Sequence, residues 1–188
     1  MRIPAFSSLL LLSLFSEGHA ALPVSIGVSN GGQWGTWGNK EFCLPGYVAK
    51  GFAFKVQESQ GSGDDTGLNG IRLYCVNLMN NRDQMTISST VGLRGSWSAT
   101  SWCPSGNLAA FNLKVLSPQR AGDDIAATRI KFRCSDLVEI ESAGLLVGSY
   151  RSWSNTCLNS ICGIVTKVQP DMGASDDTAL NDVKFICC

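Results

Sequence analysis

Gly63-Asp64-Asp65-Thr66-Gly67-Leu68-Asn69-Gly70-Ile71-Arg72-Leu73-Tyr74-Cys75 decides the reading of this chain, because it returns twice. The second copy is Gly122-Asp123-Asp124-Ile125-Ala126-Ala127-Thr128-Arg129-Ile130-Lys131-Phe132-Arg133-Cys134. The third is Ser175-Asp176-Asp177-Thr178-Ala179-Leu180-Asn181-Asp182-Val183-Lys184-Phe185-Ile186-Cys187, followed at once by Cys188. From first aspartate to cysteine the distance is constant: 64 to 75, 123 to 134, 176 to 187. A fixed register over three copies is an internal repeat, and it governs the architecture before any single motif is read. As strands, these runs put Ile71, Leu73 and Cys75 on one face, as they do Ile130, Phe132 and Cys134, and Val183, Phe185 and Cys187. Arg72, Tyr74, Lys131 and Arg133 then point away.

A second strand precedes each Asp-Asp turn: Phe52–Val56, Phe111–Val115 and Ile164–Val168. Its lysine (Lys55, Lys114, Lys167) stands the same distance before the later cysteine in every copy. Further upstream, Trp37, Trp97 and Trp153 each precede a cysteine (Cys43, Cys103, Cys157), and Trp34, Arg94 and Tyr150 stand three residues ahead of them. On the matching of these tryptophans the units run over 29–85, 86–144 and 145–188, with an N-terminal strand at 22–28. No stretch after residue 20 has helical periodicity. One antiparallel sheet per unit, burying its apolar face on the other two, gives a three-sided all-β domain. The N-terminal strand is expected to complete a sheet begun elsewhere and so remove an open edge.

The first 20 residues read as a secretory signal peptide: Arg2, an apolar run from Leu9, and small residues ending at Ala20. Residues 21–188 are then one extracellular domain. The only histidine is His19, so the domain lacks the base of Ser-His-Asp and Cys-His sites, and also histidine metal ligands. No metal or cofactor is expected. Equal numbers of acidic and basic residues, 15 of each, argue against nucleic acid as a partner. No later stretch is long and apolar enough to span a membrane, and a monomer is expected.

Eight cysteines in an oxidising compartment imply disulfides. Repeat symmetry pairs Cys43 with Cys75 and Cys103 with Cys134. Cys187 and Cys188 point to opposite sides of a strand and so take different partners. Repeat position favours Cys157–Cys187 and Cys162–Cys188.

Gln33-Trp34-Gly35-Thr36-Trp37, Asp64–Leu73, Lys131-Phe132-Arg133-Cys134-Ser135-Asp136 and the ending Asp176–Asp182 with Cys187-Cys188 resemble the vitelline membrane outer layer protein 1 family. The resemblance runs from about Val24 to Cys188. It implies a β-prism of three Greek-key sheets about a pseudo-threefold axis, secretion, and a place in an outer egg coat. It further implies extracellular glycans or egg-coat glycoproteins as partners, with N-acetylglucosamine oligomers as ligand. Transfer between such oligomers is the alternative it brings.

That alternative needs two carboxyls flanking a sugar bond. Asp64, Asp65, Asp123, Asp124, Asp176 and Asp177 are the candidates. The favoured reading makes them turn formers, since Asp side chains bond backbone N–H groups a few residues on. Glu41, Glu58, Glu139 and Glu141 are unrepeated and read as solvated. Tryptophan offers a flat surface to the apolar face of a sugar. The repeated Trp37, Trp97 and Trp153 are expected beneath the sheets. Trp34 and Trp102 have no tryptophan counterparts, which makes them the carbohydrate-binding candidates.

Overall fold

The computed structural model describes residues 23–57, 67–117, 126–170 and 178–188. The six turn aspartates and Glu58 fall outside them. The described chain has no helix and forms β1 (Ser25–Ile26), β2 (Thr36–Trp37), β3 (Glu41–Phe42), β4 (Tyr47–Val56), β5 (Leu68–Asn77), β6 (Gln84–Ile87) and β7 (Ser96–Trp97). These are followed by β8 (Ser101–Trp102), β9 (Leu108–Val115), β10 (Ala127–Cys134), β11 (Glu139–Glu141), β12 (Ser149–Tyr150), β13 (Ile161–Val168) and β14 (Leu180–Cys187).

Three antiparallel sheets result. Sheet A has the order β1-β14-β13-β2, with β3 also on β13; sheet B is β6-β5-β4-β7, with β8 also on β4; sheet C is β11-β10-β9-β12. The long central pairs, β4 with β5, β9 with β10 and β13 with β14, are the strands marked by the repeat. β1 lies on β14 (Ser25 opposite Ile186), so the two ends of the chain close one sheet.

The short edge strands break the rule of one sheet per unit. β7 and β8 precede Cys103 yet pair with β4 of sheet B. β12 pairs with β9 of sheet C, and β2 and β3 pair with β13 of sheet A. Each sheet therefore takes an edge from the unit that follows it. Three disulfides run the other way round the prism. Cys43, whose N–H donates to Cys162 O in sheet A, is bonded to Cys75 in sheet B. Cys103, hydrogen-bonded to Lys50 in sheet B, is bonded to Cys134 in sheet C. Cys157, hydrogen-bonded to Ala109 in sheet C, is bonded to Cys187 in sheet A. Cys162–Cys188 is the fourth and lies within sheet A.

The core is where the three apolar faces meet. Phe52 of sheet B, Phe111 and Phe132 of sheet C and Phe185 of sheet A are all fully buried. Phe132 lies 4.7 Å from Phe52 and 5.1 Å from Phe185, centroid to centroid. Phe111 meets Phe185 edge-on at 4.7 Å, the tilted geometry that aromatic quadrupoles favour.

The backbone also corrects the matching of the third unit. Trp37 pairs with Lys167 and Trp97 with Lys55, but Tyr150, not Trp153, pairs with Lys114. The positive-φ glycines agree, since Gly35, Gly95 and Gly148 (φ 80°, 79° and 88°) each stand two residues before that paired aromatic. At each of the three a Cβ would also strike the end of the neighbouring strand, so only glycine fits there. Tryptophan is the rare letter and drew the match; Tyr150 holds the position, and Trp153 is an addition.

Candidate functional site

The loop from Ser29 to Trp34 joins opposite edges of sheet A by crossing one end of the prism. It is tied down on all sides. Gly32 N–H donates to Asn181 O at 2.6 Å and Trp34 N–H to Asn181 Oδ1 at 3.2 Å. Lys167 Nζ donates to Gln33 O at 2.7 Å, and Asn30 Nδ2 reaches across to Leu113 O of sheet C at 2.8 Å. Asn181 is completely buried, so its amide works as an internal brace rather than as a solvated strand-surface group. Lys55 plays the same part at the next corner, holding Gly92 O and Leu93 O at 2.8 and 2.7 Å.

Between this loop and the end of β9 lies a cleft of about 330 Å³, within the size range of small-molecule sites. Its walls combine Trp34 with the apolar Val115, Leu116 and Ala126, and with Asn30, Gln33, Thr178 and Arg151 as polar groups. No described aspartate or glutamate lines it. Trp34 is 52% exposed. Ser117 and Ala126, which flank the second Asp-Asp turn, and Thr178, which follows the third, also line the cleft.

The cleft is built where the three units differ. Counting from the paired aromatic, Trp34 corresponds to Arg94 and Val147, Asn30 to Thr90 and Ala143, and Arg151 to Ser98 and Gly38. Trp34 was legible in the sequence as a tryptophan without counterparts. Asn30 and Arg151 were missed, because a lone polar residue carries no periodic signal and the match on Trp153 hid the offset.

Trp102 stands elsewhere, on the outer face of sheet B. Its ring covers Gly51, where a Cβ would come within 2.5 Å of it, and packs on Tyr74 at 5.5 Å. This aromatic cover over a strand glycine is a packing device, although 37% of the residue remains exposed. The repeated tryptophans do not lie beneath the sheets. Arg72 stacks over Trp97 at 4.0 Å, Lys184 over Trp37 at 4.8 Å and Lys131 over Tyr150 at 4.8 Å. Arg133 covers the additional Trp153 at 4.2 Å. The cations come from outward positions of the last strand of each unit, so these rings coat the outside of the prism and each contributes a cation–π contact of about 0.5–1 kcal/mol.

The described carboxylates are engaged in structure. Glu41 accepts the Ser88 N–H at 2.9 Å. Glu139 pairs with Arg133 at 2.9 Å, and that bond, with Lys131 nearby, holds its pKa below the ordinary value. Glu141 accepts the Tyr150 hydroxyl at 2.7 Å. Asp182 is the exception. Burial against Gly31, behind the cleft wall, raises its pKa despite the Val183 N–H bond and the nearby Lys184 and Lys167. The folded protein thus holds this proton more tightly than the unfolded chain. Its contribution to stability is largest at low pH and falls as pH rises from the ordinary value of 3.8 through the raised one. Asp182→Asn is expected to raise the melting temperature at neutral pH and to leave it unchanged near pH 3. Thermal unfolding across that range checks this, and a lower melting temperature at neutral pH would contradict it.

Three antiparallel sheets about a pseudo-threefold axis, with cysteine staples between them, now stand beside the sequence motifs. Residues 24–188 match the family model described as vitelline membrane outer layer protein I (VOMI). The chain belongs to this family. Two relatives named vitelline membrane outer layer protein 1 homolog agree. The one from Mus musculus is 44% identical and covers 96% of this chain and 94% of its own length. The one from Homo sapiens is 43% identical and covers 92% and 87%. Among solved structures, Calystegia sepium agglutinin superimposes with a TM-score of 0.55 at 11% identity, covering 89% of this chain and 97% of that one. The Calsepa lectin in complex with a biantennary N-glycan gives 0.55 at 12% identity, covering 88% and 97%. At such identity the likeness concerns the fold, and it makes this family member a β-prism.

No described helix is long and apolar enough to cross a membrane. No group of three or more His, Cys, Asp or Glu among the described residues is arranged to hold a metal ion.

Proposed function

We propose that this protein is a secreted component of an outer egg coat or similar extracellular layer that binds N-acetylglucosamine-type oligosaccharides in the cleft beside Trp34. The observation that carries the reading is the cleft itself: an exposed indole facing a space walled by amide, hydroxyl and short apolar groups. A pyranose stacks its apolar face on such a ring. Its hydroxyls and acetamido N–H meet the amide and hydroxyl groups of the wall, and the acetamido methyl meets Val115, Leu116 and Ala126. Family membership, the lectin folds of the structural neighbours and four disulfides suited to an oxidising compartment support the same reading. Trp102, whose inner side is covered by its own sheet, offers a second and weaker contact.

The test is retention on chitin beads and on a glycan array. The wild type binds N-acetylglucosamine oligomers, and Trp34→Ala loses at least about tenfold in affinity, the scale of one stacked ring. Trp102→Ala loses less. A wild type that no glycan retains would remove the ligand from this account.

A further inference from the structure

The four disulfides are not equivalent. Cys43–Cys75, Cys103–Cys134 and Cys157–Cys187 each join two sheets, recur in every unit, and include at least one cysteine that is 3% exposed or less. Cys162–Cys188 differs in all three respects. It has no counterpart in the first two units, it lies within sheet A, and Cys162 is half-buried while Cys188 is exposed. The bond stands between two cavities of about 710 and 560 Å³, and both of its cysteines line both of them. No lining residue has a charged side chain, so the terminal carboxylate of Cys188 is the charge nearest the bond. The backbone duplicates what this bond does. Ile161 and Cys187 are register partners, Cys188 N–H donates to Ser160 O at 3.2 Å, and Asn159 Nδ2 donates to Cys188 O at 3.1 Å. Cys157–Cys187 already ties down the adjacent residue.

We infer that Cys162–Cys188 is a thiol–disulfide exchange site, at which the folded protein takes up an external thiol on Cys188. Exchange rates depend on which sulfur can be reached, and this bond alone has no deeply buried partner. The attacking thiolate forms a bond to Cys188 Sγ. The Cys162–Cys188 bond breaks, and its electron pair leaves on Cys162 Sγ, which takes up the proton that the attacking thiol released. One disulfide is lost and one is gained, so no oxidant is needed. The terminal carboxylate repels an anionic thiol, and the class accepted is therefore an uncharged or cationic one. The cleft lies at the other end of β14, eight residues away, or about 25 Å. A thiol adduct on Cys188 therefore leaves the space beside Trp34 open.

Brief incubation of the folded, disulfide-bonded protein with 2-mercaptoethanol, then N-ethylmaleimide and peptide mass mapping, tests this independently of any glycan. The mercaptoethanol adduct forms on Cys188 and the maleimide adduct on Cys162, at least about tenfold faster than at any other cysteine. The melting temperature stays within about 5 °C of that of the untreated protein. The double variant Cys162→Ser, Cys188→Ser folds and takes up no thiol under the same conditions. With a cysteine-bearing peptide as the thiol, the same adduct extends the site to protein thiols, and its absence confines the site to small ones. Another bridge opening first, or loss of the fold as Cys162–Cys188 opens, overturns the inference. So does undiminished uptake by the double variant.

Discussion

Replacing Phe132 with alanine is expected to lower the stability of this protein by about 3–5 kcal/mol, the range for a buried Phe whose site collapses only partly. Phe132 has the largest predicted effect because all three sheets meet on it. It touches Phe52 from sheet B and Phe185 from sheet A, and Phe111 from its own sheet at 6.4 Å. None of the four rings is exposed, and no neighbour is free to fill the hole without leaving its own contacts. In calorimetry this corresponds to a fall in melting temperature of roughly 10 °C for a chain of this size. A fall of only one or two degrees would mean that the sheets do not share a single core.

The second large effect belongs to the inter-sheet staples. The double substitution Cys103→Ala, Cys134→Ala is expected to lose about 3–4 kcal/mol, since the bridge closes a loop of 31 residues. The position of the bridge adds to the loop-length argument. Cys103 sits on the edge of sheet B and Cys134 at the end of sheet C, so the bond holds an exchanged edge against its own unit. Denaturant unfolding of the double variant should show the midpoint falling. Loss of protection in hydrogen exchange should be strongest at β7 and β8. A variant as stable as the wild type would show that backbone pairing alone keeps these edges in place.

The long strands were legible in the sequence because alternation is a local property. Ile71, Leu73 and Cys75 could face nothing but a core, and the same holds for their two counterparts. The exchanged edges were not. A two-residue strand such as Ser96–Trp97 has no periodicity, and its partner is chosen by where the preceding loop crosses the end of the prism. The same cause misplaced the third unit, where backbone pairing with Lys114 selects Tyr150 and leaves Trp153 over. Trp34 stood out as a tryptophan without counterparts. Its setting did not, because Asn30, Val115 and Arg151 converge on it only through the pairing of sheets A and C. The Asp-Asp turns that made the repeat visible lie outside the described residues. Of the described residues beside them, Ser117, Ala126 and Thr178 line the cleft.

The central claim places the principal glycan site at one corner of a threefold fold, beside Trp34. The chain has five tryptophans, each giving one indole N–H signal. A ¹H–¹⁵N titration of the labelled protein with N-acetylchitooligosaccharide therefore reads all five at once. The account predicts that the Trp34 signal shifts first and furthest, together with the backbone of Asn30 to Gln33 and of Thr178. A titration in which Trp34 stays still, whether the other indoles move or not, would contradict it.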